Sequence, residues 1–167
     1  MITIKFETGD CLELPIESFV GADLKGVNFH RAIFEYLDFS KADFTGCDLR
    51  NSVFYFSVLN NAKMKDVSLV NAILTGSRMR GSDLSESLLM YSDFAKVDLS
   101  LANLKDANVT GGDFRGAELF GADFSVIGLD KCKLQGALYD GATIWPRNFK
   151  PDEYGLLKKK SIIGPRL

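Results

Sequence analysis

At 167 residues, 46% hydrophobic and only 25% charged, the chain is long enough for one domain with a sizeable core and too apolar to be disordered. Its net charge of −2 hides no strongly acidic or basic stretch, although residues 145–167 are net basic, so nothing announces a nucleic-acid partner. No apolar run approaches the ~20 residues of a membrane-spanning helix.

The N-terminus, Met1–Glu7, alternates instead of joining a basic end to an apolar stretch, so no secretory leader is expected. Residues 1–16 read as a capping hairpin. Ile2, Ile4 and Phe6 alternate, Thr8-Gly9-Asp10 supplies the turn, Leu12 and Leu14 alternate on the return, and Pro15 stops the second strand. A hairpin that short is marginal alone and has to pack on the residues C-terminal to it.

Residues 17–149 carry one period. From Phe19 every fifth residue is large and apolar (Leu24, Phe29, Phe34 and onward to Tyr139, Ile144 and Phe149), with no insertion or deletion expected in the run. Two residues earlier, from Ala22 to Ala142, stands a second column of mostly small residues, and between the two lies a position that is commonly Asp or Asn. Positions one and three of each unit therefore face inward, and two, four and five face water. An α-helix cannot deliver this, because a period of five drifts by about 140° per repeat. A flat strand alternates strictly by two and cannot either. A short extended step followed by a corner, repeated as a coil, can.

The pattern resembles the pentapeptide-repeat family, A-(D/N)-L-x-x, as in Gly21-Ala22-Asp23-Leu24-Lys25 and Gly121-Ala122-Asp123-Phe124-Ser125. The resemblance implies an all-β fold, a right-handed quadrilateral β-helix of about six coils with 20 residues per coil. On this reading the chain is a single domain: hairpin cap 1–16, β-helix 17–149, and a small C-terminal cap or tail at 150–167. Trp145-Pro146 would plug the end, and Asp152-Glu153 followed by Lys158-Lys159-Lys160 suits a short helix, although Gly155 weakens it.

Catalytic chemistry is not expected. The one histidine, His30, falls on an outward position, and no Cys or His pair has metal-ligand spacing. Cys47 and Cys132 fall on the inward column as inert thiols, and three distant cysteines suit a reducing cytoplasm better than a disulfide framework. Inward Ser77, Ser82, Ser87 and Ser92 read as fillers that hydrogen-bond the backbone. The expectation is a non-enzymatic protein with no catalytic residue, metal, cofactor or small-molecule substrate.

Function is then sought on the outside. On the face of Phe34 the normally polar second position is Ile33, Val53 and Ile73 on three successive coils, with Tyr36, Tyr55 and Phe56 beside them. Val70, Leu88, Met90 and Tyr91 follow around the preceding corner. A contiguous apolar patch of this kind marks a protein interface unless the terminal segments fold over it. The preferred reading is a protein-interaction scaffold that docks another protein or a second copy. The alternative comes from the resemblance: some members mimic B-form DNA and bind DNA gyrase, which needs unbroken acidic columns. Here Lys63 interrupts Asp23, Asp43 and Asp83, and Lys25, Lys65 and Lys105 run alongside.

Overall fold

The computed structural model describes residues 1–160. The reason for the five-residue period lies in the turn that each unit makes. The N–H of the small residue commonly donates to the carbonyl of the preceding large one, as Ala32 does to Phe29 (2.9 Å) and Ala42 to Phe39 (3.0 Å). The residue before the small one takes a left-handed φ, for instance 65° at Gly26 and 68° at Gly46. A turn closed this way with φ above zero at its third residue is of type II, where Gly or Asn is favoured. The Asp or Asn that precedes each large residue has its own task. Its carboxylate or amide oxygen accepts the N–H two residues on, as Asp43 does from Thr45 (3.1 Å) and Asn108 from Thr110 (3.1 Å).

Successive coils pair in parallel at an interval of 20 residues, on four ladders that begin at Asp23↔Asp43, Asn28↔Asp48, Ile33↔Val53 and Asp38↔Val58. Each backbone step is thereby satisfied by the coil next to it. The Phe34 N–H donates to the Val53 carbonyl (2.7 Å), and the Val53 N–H donates to the Ala32 carbonyl (2.9 Å). Inside, from Phe19 to Tyr139, every member of the large column is buried. Phenylalanines stack along the axis, Phe34 on Phe54 with centroids 4.8 Å apart and Phe94 on Phe114 at 4.9 Å.

Strands β1 (Ile2–Phe6) and β2 (Cys11–Leu14) form an antiparallel hairpin, and β1 also pairs antiparallel with β3 (Ala32–Ile33). The hairpin thus prolongs one face of the coil as two further strands. It turns Ile4 into the core, with Ile2, Phe6, Leu12 and Leu14 packed behind it. At the other end Phe124, Tyr139, Trp145, Phe149 and Tyr154 close the core ring against ring at 4.8–5.7 Å.

The uninterrupted register fails near this end. Asn108 pairs with Ile127, a step of 19, and Asp123 pairs with Ile144, a step of 21. Val126 takes the small inward place expected of Ile127, which is exposed. Thr143 likewise replaces Ala142. Trp145 moves in beside Phe124, and Ile144, expected inside, is 42% exposed. Gly128 permits the first slip: its φ is 79°, and a Cβ there would run into the Thr110 hydroxyl. The helix expected over Asp152–Lys160 is also corrected. Pro151–Tyr154 makes one 3-10 turn that Gly155 ends at φ 74°, and β5 (Leu157–Lys158) then pairs in parallel with β4 (Leu138–Tyr139). Residues 161–167 of the expected C-terminal cap lie outside the described residues.

Candidate interaction face

Ile33, Val53 and Ile73 occupy three consecutive levels of one outward ladder. Each stands where the repeat otherwise places the oxygen that holds the corner. The cost is visible at Thr75. Thr45 and Thr110 donate their hydroxyls to Asp43 (2.6 Å) and Asn108 (2.7 Å), whereas the Thr75 hydroxyl, next to Ile73, is buried and has no partner among the described residues. Ile33 and Ile73 are half-buried. Val53, flanked by both, is only 7% exposed and makes a flat floor, not a knob.

The relief comes from aromatic rings at the corners. Tyr36 (73% exposed) stacks on Phe56 (55% exposed) at 5.7 Å and 14°, Tyr55 lies beside Phe56 at 6.4 Å, and the Phe56 ring leans over Gly76. At the opposite corner Tyr91 (65% exposed) leans over Gly111. Tyr36, Phe56 and Tyr91 all have left-handed φ, between 53° and 59°, a conformation that costs a residue with a Cβ roughly 1–2 kcal/mol. Val70 and exposed Leu88 border a shallow groove of about 550 Å³ over Ser68, with Asp48 and Arg50 on its far side, and Met90 is half-buried. The structure therefore divides the patch into an aliphatic floor with an aromatic corner, and a neighbouring groove beside Tyr91. The hairpin does not lie over the floor but extends its edge. It brings Lys5 directly opposite Ile33, so both project from the same side of the sheet. Nothing local in the sequence announces that long-range pairing.

Elsewhere on the surface several acids are paired with lysines. Asp43 lies between Lys25 (3.9 Å) and Lys63 (3.5 Å), and Lys65 pairs with Glu86 (3.0 Å). His30 Nε2 accepts from Asn51 Nδ2 (3.0 Å). Burial pushes the thiols of Cys47 and Cys132 up to about 11, and each donates to a backbone carbonyl. Ser82, Ser87 and Ser92 likewise donate to carbonyls, while the Ser77 hydroxyl has no partner among the described residues. Among the described residues no group of His, Cys, Asp or Glu could hold a metal ion, and no helix is long and apolar enough to cross a membrane. A smaller cavity of about 260 Å³ opens at the slipped end between Val126, Leu129, Phe149 and Tyr154, with Arg147 on its rim.

A family model described as pentapeptide repeats matches the chain in eight copies, over residues 18–51, 52–89, 74–106 and 98–136. Among solved structures, a pentapeptide repeat protein from the cyanobacterium Cyanothece 51142 is similar at 26% identity, covering 75% of this chain and 89% of that one, with a TM-score of 0.44. Another, from Nostoc Pcc 7120, is 29% identical over 73% of this chain and 84% of that one, with a TM-score of 0.46. The plasmid-mediated fluoroquinolone resistance protein QnrB1 is 19% identical over 86% of each chain, with a TM-score of 0.41. No curated protein matches.

Proposed function

The chain belongs to the pentapeptide-repeat family, and we propose that it acts as a non-enzymatic scaffold that docks a protein on the flank floored by Ile33, Val53 and Ile73. The observation that carries this reading is the departure at that ladder, made against stability. Aliphatic side chains there forgo the corner hydrogen bond, leave Thr75 unpartnered, and stand beside the exposed rings of Tyr36 and Phe56. A contiguous apolar patch with exposed aromatic rings, rimmed by polar residues, is the surface that a protein partner covers.

Mechanically the flank is pre-organised. Its backbone is bonded on both sides, so docking orders few groups and the aromatic rings supply the desolvation energy. The coil in this reading is right-handed, the hand that parallel crossovers take, and about six turns long, with caps at 1–16 and 150–167. Three free thiols accord with a cytoplasmic setting. A DNA-mimicking topoisomerase modulator is the weaker reading, because Lys25, Lys63 and Lys65 pair with the acids such a surface would need. The test is affinity capture with wild type beside Phe56→Ser and Tyr91→Ser. Loss of bound protein in the variants is expected, and an identical set of captured proteins would overturn the docking role.

A further inference from the structure

Taking the flank as a docking face, as proposed above, we infer that its occupant is a second copy of this chain, laid antiparallel with a two-fold axis running along the strands through Val53. The outward residues of five consecutive strands read Lys5, Ile33, Val53, Ile73, Asp93, joined by the β1–β3 register and the ladder above it. That column is self-complementary: three aliphatics, a cation at one end and an anion at the other, both two strands from Val53.

Rotation about the axis puts Ile33 against Ile73 of the second copy, Val53 against Val53, and Lys5 against Asp93 at each end. Because the axis follows the strands, each corner meets its own equivalent. Phe56 then faces Phe56, and Tyr36 comes over the Gly76 level, onto the edge of the Phe56 ring that leans there. The next pair outward joins Cys11 to the level of Asp113, an acid already held by Arg115 (2.6 Å) and Lys133 (3.9 Å).

Both end charges are available. Among the described residues neither Lys5 nor Asp93 is in an ion pair, and Asp93 accepts only the Ala95 N–H (2.9 Å). Arg115 lies close enough to feel Asp93 but is forked onto Asp113. Other arrangements are worse. Parallel rods would set Asp93 on Asp93 and Lys5 on Lys5, and a slip of one strand would press either Asp93 onto Ile33 or Lys5 onto Ile73, leaving the other charge opposite Asp113, already held by Arg115 and Lys133, or opposite Cys11. The two-fold also closes on itself, so pairs form and not filaments. Five strands span roughly 20 Å, a small face that places the pairing in the weak, concentration-dependent class.

The experiment is light scattering on a sizing column across a hundredfold concentration range. Wild type is expected to rise toward twice the monomer mass. Lys5→Asp alone and Asp93→Lys alone should each weaken pairing by about tenfold or more, since like charges then face each other at both ends. An equimolar mixture of the two should restore it, because both ends of the mixed pair are then attractive. Asp93→Asn, which keeps the acceptor for Ala95, serves as the fold-preserving control and should weaken pairing less. A monomer at every concentration, or a dimer indifferent to both charge reversals, would overturn the self-pairing. The docking role is judged separately, by whether the Phe56→Ser variant loses its captured protein.

Discussion

One ladder of this coil runs through two different surfaces. From Ile33 to Ile73 it is aliphatic and leaves a buried hydroxyl unpaired; from Asp93 to Lys133 it is charged, its acids hold the next corner, and Asp113 is clasped by Arg115. The backbone does not register the change. Val53 N–H to Ala32 carbonyl and Asp113 N–H to Ser92 carbonyl are both 2.9 Å. The inward columns and the turn determine the coil, and the outward second position is released for other uses at the loss of a hydrogen bond or two.

If that separation holds, the two halves should respond alike to damage inside. Phe34→Ala beneath the aliphatic half and Phe114→Ala beneath the charged half should each cost about 3–5 kcal/mol, since a stacked column cannot close over the gap. Denaturant unfolding reads both, and a large difference between them would mean that the outer surface does contribute to the coil. Restoring the repeat at the aliphatic half should have a smaller effect of opposite sign. Ile73→Asn offers an acceptor to the N–H and hydroxyl of Thr75, as Asn108 does for Thr110, and should raise stability by about 1 kcal/mol. The same substitution should abolish docking; a variant both destabilised and still docking would break the comparison.

The smallest effect concerns acid. Hydrogen bonds from the Arg115 guanidinium hold the Asp113 carboxyl below the usual carboxylate range, against burial, which acts the other way. A carboxyl depressed in the folded state stabilises fully above its unfolded value of about 4 and loses that contribution as pH falls through the folded value. Thermal melting of wild type should therefore decline below about pH 4 more steeply than that of Asp113→Asn, by up to about 1 kcal/mol, the scale of a partly exposed pair. The aliphatic half of the ladder has no counterpart to this dependence.

The period, the inward columns and the aliphatic run were legible because each is a local rule repeated many times. The slips at Ile127 and Ile144 were not, because aliphatics in those places fit the large or small column by type alone. What decides them is three-dimensional: the room beside Thr110 that only Gly128 leaves, and the edge-to-face packing of Trp145 against Phe124 and Tyr139. The helix failed for a similar reason. Its charges were well placed, but Gly155 turns the chain so that Leu157 can pair with Leu138. On the candidate face the sequence named apolar residues yet could not rank them by exposure. Val53 looks central and is nearly covered, whereas Tyr36 and Phe56 gain their prominence from left-handed corners. Lys5 joined the face only through a pairing between residues far apart in the chain.

The polarity of the first strand has a further consequence. The bare end of a parallel coil is a template on which another parallel coil could be laid, and repetition of that step would lengthen the rod without limit. Here β1 runs against β3, and β2 stops at Pro15, so on the Ile33 face the template at that end is overwritten by strands of the wrong direction. The hairpin is thus a terminator as well as a lid: it sets the length of the rod at that end and leaves the flanks as the surfaces on which association can take place.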